Sequence, residues 1–213
     1  GETFVTFSIV ARCPETLSLG VCVSTAAPAV GSVVPHVEAN VGAIATQAHT
    51  NVFYGINGLK MLQMGFSSHT ALETMLREDR DKEKRQVIIV DAKGKKVAFT
   101  GQETDNWKGH LIGKDFVVAG NMLVGSQVLK SMAERFKFAE GNLAERLLQA
   151  LEAGQKAGGD KRERLSAALL VAGEQWRTEA RPRLDLRVDA HPEPIRELRR
   201  IYMVSRDYFE SPQ

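Results

Sequence analysis

Residues 32–51 read SVVPHVEANVGAIATQAHTN, two strand-like runs separated by a single polar turn. VVPHVEA (33–39) and VGAIATQA (41–48) are apolar, β-branched runs on either side of Asn40. Such residues suit a pleated, half-buried surface, and so short a link joins strands antiparallel. Toward the start, TFSIVARC (6–13) and LSLGVCVST (17–25) repeat the design around a PET link. Four strands are therefore expected before residue 49, with turns too short for crossover helices.

Beyond Asn51 the period changes. GINGLKMLQMG (55–65) and SSHTALETMLRED (67–79) space their apolar residues three and four apart, which is a helical repeat. Gly65 ends the first helix, and Ser67 or Ser68 caps the second. RQVIIVDAKGKKVAFTG (85–101) returns to strands through a DAKGK turn, and HLIGKDFVVAGNML (110–123) reads as a strand pair or a strand and bend. Two more helices follow, at 125–139 and 142–157, then strands in RLSAALLVAG and PRLDLRVDA. HPEPIRELRRIYMVS is a closing helix with Pro194 near its first turn. Helices come in pairs between sets of strands, which argues against a doubly wound parallel sheet. The expected fold is α+β: a sandwich of two mostly antiparallel sheets with helical layers outside. The whole chain, 1–213, reads as one domain, with 1–5 an N-terminal extension and 206–213 a tail.

With 28 Lys+Arg against 26 Asp+Glu, the net charge of +2 points away from nucleic acid or an acidic membrane as the main partner. No apolar run approaches the roughly 18 residues that span a bilayer. Cys13 and Cys22 read as free thiols, and no zinc spacing occurs, so neither metal nor other cofactor is expected. A cytoplasmic location is expected, although a mature secreted form also fits. Ile195, Leu198, Ile201, Tyr202 and Phe209 give the closing helix more apolar surface than a chain end needs, so part of it is expected to pack on another subunit as a homo-oligomer.

Several polar residues sit inside apolar strands. Thr6 and Ser8 share one face of the first strand, with Phe7 and Ile9 on the other. They are either a plain polar face or a nucleophile and its neighbour. A Thr hydroxyl needs a base, and an N-terminal Thr can use its own α-amine, whose pKa is near neutrality. His36, Thr46, Gln47, His49 and Asn51 crowd the 32–51 stretch. Asn121 ends a strand after Gly120, Asp160 lies in a helix-to-strand loop, and Ser166 enters the next strand. Each also has a structural reading, as a satisfied histidine, a turn Asn or a loop cap. No phosphate loop, GxSxG or HExxH motif occurs.

TFSIVAR, VVPHVEANVGAIATQAHTN, YGINGLKML, AGNMLVG and AGGDKRERLSAALLV together resemble the domain of unknown function 1028 family, grouped with the N-terminal nucleophile (Ntn) hydrolases. The resemblance runs from about Thr6 to Arg200. It implies a four-layer αββα sandwich with Thr6 as nucleophile and Ser24 supporting it. By the same resemblance His36 occupies the place of an activating Lys, and Gln47 and Ala48 lie near the oxyanion-binding amides. Asp160 and Ser166 would orient the amine, while Asn121 and Asn51 would contact substrate or oxyanion. Five residues precede Thr6, and Thr25 stands where the family pattern VASR has Arg. Two functions follow. One is an amide-bond hydrolase acting through an acyl-enzyme on a small amide or peptide. The other is a non-catalytic ligand-binding or scaffold protein on the same fold.

Overall fold

The computed structural model describes residues 5–159, 165–173 and 181–210. The first hairpin is β1 (Thr6–Arg12) and β2 (Leu19–Thr25); the second is β3 (Pro35–Glu38) and β4 (Gly42–Ala48). Helices α1 (Phe53–Gln63) and α2 (Ser68–Glu78) precede β5 (Arg85–Asp91), β6 (Lys96–Thr100), β7 (Gly109–Ile112) and β8 (Phe116–Asn121). Then come α3 (Gln127–Phe138), α4 (Leu143–Lys156), β9 (Ser166–Ala172), β10 (Leu184–Val188) and α5 (Pro194–Glu210). The element order is the expected one. HLIGKDFVVAGNML resolves into a strand pair, and α5 continues as helix into the segment read as a tail.

The strands form two sheets, ordered β10-β9-β2-β1-β8-β7 and β3-β4-β5-β6, with every neighbouring pair antiparallel. Alternation along β1 shows how they stack. Phe7, Ile9 and Ala11 join the cluster under α3, α4 and α5, whereas Val10 joins Val21, Val37, Ala45 and Ile88 between the sheets. On the far side, Ile44, Val87 and Ile89 pack with Tyr54 of α1 and Leu72 of α2. The layers therefore run helix, sheet, sheet, helix, the four-layer αββα sandwich that the resemblance implied.

Local sequence explains the outer layers. Ser67 caps α2 by accepting from the Thr70 N–H, and Asn142 caps α4 by accepting from the Glu145 N–H, each relieving an orphan amide at the helix start. The buried face of α4 carries Leu143, Leu147, Leu148 and Leu151, each contributing roughly 1.5–3 kcal/mol by burial. Helix α1 instead places Gly55 and Gly58 inward. A Cβ at Gly55 would lie 2.2 Å from the His36 ring, and one at Gly58 would lie 2.6 Å from Ile44. Interior glycine costs a helix about 1 kcal/mol, but here it lets α1 lie directly on β3 and β4.

The closing helix packs on its own chain: Ile195, Leu198 and Tyr202 are buried, and Ile201 is partly buried, against the same core as β9 and β10, while Val204 and Tyr208 are exposed. Phe209 has its side chain outside the described ones. Both cysteines are buried and unpaired. Among the described residues, no helix is long and apolar enough to cross a membrane.

Candidate functional site

One end of the space between the sheets is polar. Thr6 lies opposite Asn121 on one side and Thr25 on the other, and Thr25 lies opposite Ser166. Directly opposed residues share a face, so Asn121, Thr6, Thr25 and Ser166 form a row facing the second sheet. All four are buried. Across the gap, Gln47, Gln86 and Thr100 are opposed in the same way, each at the matching end of its strand.

The hydroxyls in the row have defined directions. Thr25 Oγ1 donates to the Val5 carbonyl at 2.9 Å. Its one proton being committed, the 2.9 Å contact between Thr6 Oγ1 and Thr25 Oγ1 has Thr6 as donor. The Ala26 N–H also reaches the Val5 oxygen, at 3.2 Å. The carbonyl immediately before Thr6 therefore accepts from two donors, the arrangement that stabilises charge developing on an oxygen. Ser166 does different work. Its Oγ donates to Ala27 O at 2.6 Å and accepts from Val30 N at 3.0 Å, so it clasps the loop after β2. It sits two strands, about 10 Å, from Thr6.

Between the sheets runs a continuous carboxamide network. Ser8 Oγ donates to Gln47 Oε1 at 2.6 Å, Gln47 Nε2 donates to Gln86 Oε1 at 2.8 Å, and Asn121 Nδ2 donates to the same oxygen at 3.1 Å. Gln86 Nε2 faces Gly109 O, Gly120 O and Thr100 Oγ1, each at 3.0 Å. Thr100 Oγ1 meets His110 Nδ1 at 2.8 Å. Burial holds the His110 pKa below the usual histidine value, so the imidazole is neutral at pH 7. The network is then built from neutral groups throughout.

Backbone conformation marks the same end. Ala48 after Gln47, Met122 after Asn121, and Ala29 in the loop held by Ser166 have φ of 68°, 56° and 55°. Left-handed non-glycine residues cost about 1–3 kcal/mol and concentrate at functional sites.

Not every expected residue arrives here. Ser24 lies opposite Phe7 and so shares its helix-facing side of the sheet, with Oγ donating to Ser166 O at 3.3 Å; Thr25, one position on, is what reaches Thr6. His36 is opposite Ile44, faces α1 and packs on Gly55, with Nδ1 3.2 Å from Val34 O. Sheet β3-β4-β5-β6 stands between His36 and Thr6, so His36 is not placed to take the Thr6 proton. Burial also lowers its pKa. Asn51 lies two residues before α1, accepting from the Phe53 N–H at 3.1 Å through Oδ1, and lines a separate groove of about 520 Å³ between α1 and α2. Asp160 lies outside the described residues. In the sequence Thr25 stood out only as a departure from the family pattern, and Gln86, Thr100 and His110 did not stand out at all. The available signal for Gln86 was a carboxamide standing immediately before the apolar run VIIV, within the same strand.

The fold and this buried polar row define an αββα protein with a threonine at the mouth of its inter-sheet space. Residues 6–198 match DUF1028, a family of unknown function, and the chain belongs to that family. A crystal structure of a DUF1028 protein from Silicibacter pomeroyi is 34% identical, with a TM-score of 0.87 over 95% of this chain and 86% of that one. The ancestral beta-subunit Anbu from Yersinia bercovieri aligns over 97% of this chain and 98% of its own, at 9% identity and a TM-score of 0.42. No curated protein matches the chain.

Proposed function

We propose that the chain is an amide-bond hydrolase of the N-terminal-nucleophile type, with Thr6 as nucleophile once it is the first residue. The observation that carries this is the Thr6 hydroxyl on the inner face of β1, bonded to Thr25, beside a Val5 carbonyl that accepts from Thr25 Oγ1 and the Ala26 N–H. In the given chain the Thr6 nitrogen is a peptide amide and cannot act as a base. Removal of residues 1–5 converts it into an α-amine with a pKa of about 7.7–8.0, within reach of its own hydroxyl. The same two donors that hold the Val5 oxygen are then left for a substrate carbonyl oxygen. Thr6 attacks that carbonyl, the amine takes the hydroxyl proton and passes it to the leaving nitrogen, and water releases the acyl group. Thr25 replaces Ser24 as the hydroxyl beside the nucleophile, and the α-amine replaces His36 as base. Gln47, Ala48 and Asn121 border the site, and Ser166 shapes its loop. The reading calls for a small amide or peptide and for no metal or cofactor.

The experiment compares the full chain with one beginning at Thr6 on a panel of small acyl-amides and peptides. Turnover is expected from the trimmed chain alone, rising with pH between about 7 and 8 as the amine loses its proton. Equal turnover by both forms, or turnover that survives Thr6→Ala, contradicts the proposal.

The second reading, a ligand-binding or scaffold protein, draws support from the carboxamide network, whose members bond mainly to one another. It predicts ligand binding with no turnover by either form.

A further inference from the structure

Gln86 is fully buried on a central strand, and two of its partners fix which way round it sits. Gly109 O and Gly120 O are main-chain carbonyls and can only accept. The Gln86 amide nitrogen must therefore face them, which turns Oε1 toward Gln47 and Asn121. Both of those must then present N–H groups, as the 2.8 and 3.1 Å contacts show. Gln47 Oε1 is left to accept, and Ser8 must donate to it. Two carbonyls thus dictate the direction of the side chains from Gln86 through Gln47 and Asn121 to Ser8.

Asn121 feels the consequence at the site. It lies directly opposite Thr6, and its amide nitrogen is turned to Gln86 in the other sheet. Its carbonyl oxygen, about 120° away on the same planar group, is turned from Gln86. We infer that Gln86 is a positioning residue that locks Asn121 with its oxygen as an acceptor beside Thr6, selecting substrates that carry an N–H next to the scissile carbonyl. This rests on the hydrolase reading above and changes the part given to Asn121. An acceptor oxygen repels an oxyanion and welcomes an amide N–H, so the preferred class is secondary or primary amides over N,N-dialkyl amides.

The test has two arms. In the first, side-chain amide exchange is measured by NMR on the full wild-type chain, with no need for activity. The carboxamide protons of Gln86 and Asn121 are expected to exchange far more slowly than those of exposed Asn57. Equally fast exchange overturns the fixed orientation. In the second, the chain beginning at Thr6 is given a matched secondary and tertiary amide, and kcat/KM is compared. Wild type is expected to favour the secondary amide by about tenfold or more, the worth of one directed hydrogen bond. Gln86→Met and Asn121→Ala should each bring that ratio near one, and the double variant should add nothing. Asn121→Ala leaves Gln86 bonded to Gln47 and covers the case in which Gln86→Met fails to fold. An unchanged ratio in Asn121→Ala overturns the selectivity. If wild type turns over neither amide, the hydrolase reading and the substrate preference fail together, while the exchange arm still decides the orientation.

Discussion

The polar cluster between the sheets and the ionic cluster between α4 and α5 are built on opposite principles. Between the sheets, Ser8, Gln47, Gln86 and Asn121 are neutral and fully buried, and their directions are set by carbonyls that can only accept. Between α4 and α5, Arg199 forms charged bonds to Glu145 at 2.7 Å and to Glu152 at 2.8 and 2.9 Å, with its guanidinium 5.7 Å from the Tyr202 ring. There the Arg199 and Glu145 side chains keep 24% and 22% of their exposure, so water and salt share the work. A buried neutral network has no such relief, and losing one member strands its partners in a dry interior. The fold therefore tolerates change readily at its ionic edge and poorly at the inter-sheet end.

Stability measurements can break that contrast. Gln86→Leu should have the largest effect, about 3–5 kcal/mol by denaturant titration, because it leaves two carbonyls and two carboxamides without their partner. A loss under 1 kcal/mol would erase the distinction. Arg199→Met should cost about 1 kcal/mol, and the difference from wild type should shrink in high salt while the Gln86→Leu difference does not.

Acid should separate the clusters further. Burial alone would raise the Glu145 pKa, but hydrogen bonds from Arg199 and Gln149, with the Arg199 charge, hold it below the usual carboxylate value. A depressed folded pKa means the stabilisation is present above the unfolded value, about 4.3, and fades as pH falls through the folded one. Wild type should therefore lose stability below about pH 4.3 partly through Glu145, and Glu145→Gln should flatten that part of the profile. A profile unchanged in Glu145→Gln would remove Glu145 from the account. The smallest effect is expected for Ser24→Ala, whose 3.3 Å bond to Ser166 O is long, at about 0.5 kcal/mol and with no change in turnover by the trimmed chain.

The sequence carried the architecture because hairpin links are short and the helices announce their period and caps. PET, Asn40 and DAKGK each join strands that lie side by side, and Ser67 and Asn142 cap the helices that follow them. Thr6 and Ser8 were legible as a polar face on a mostly apolar strand, and only the family resemblance gave Thr6 the part of nucleophile. Ser24 was not resolved from Thr25, since a one-residue change in hairpin register exchanges the two faces of a strand. The register Thr6↔Thr25 assigns the inner face to the second of the pair. His36 fell to the same parity, which on β3 turns it toward Gly55. The Gln47–Gln86 pair joins residues 39 apart, with two helices between them, and no local pattern announces it.

The most direct measurement is intact-mass analysis after treatment with an electrophilic acylating probe, using the full chain, the chain beginning at Thr6, and that trimmed chain with Thr6→Ala. The account predicts one probe adduct, mapped to Thr6, in the trimmed chain and none in the other two. A trimmed chain that is folded yet stays unlabelled, or carries its adduct on any other residue, contradicts Thr6 as the nucleophile.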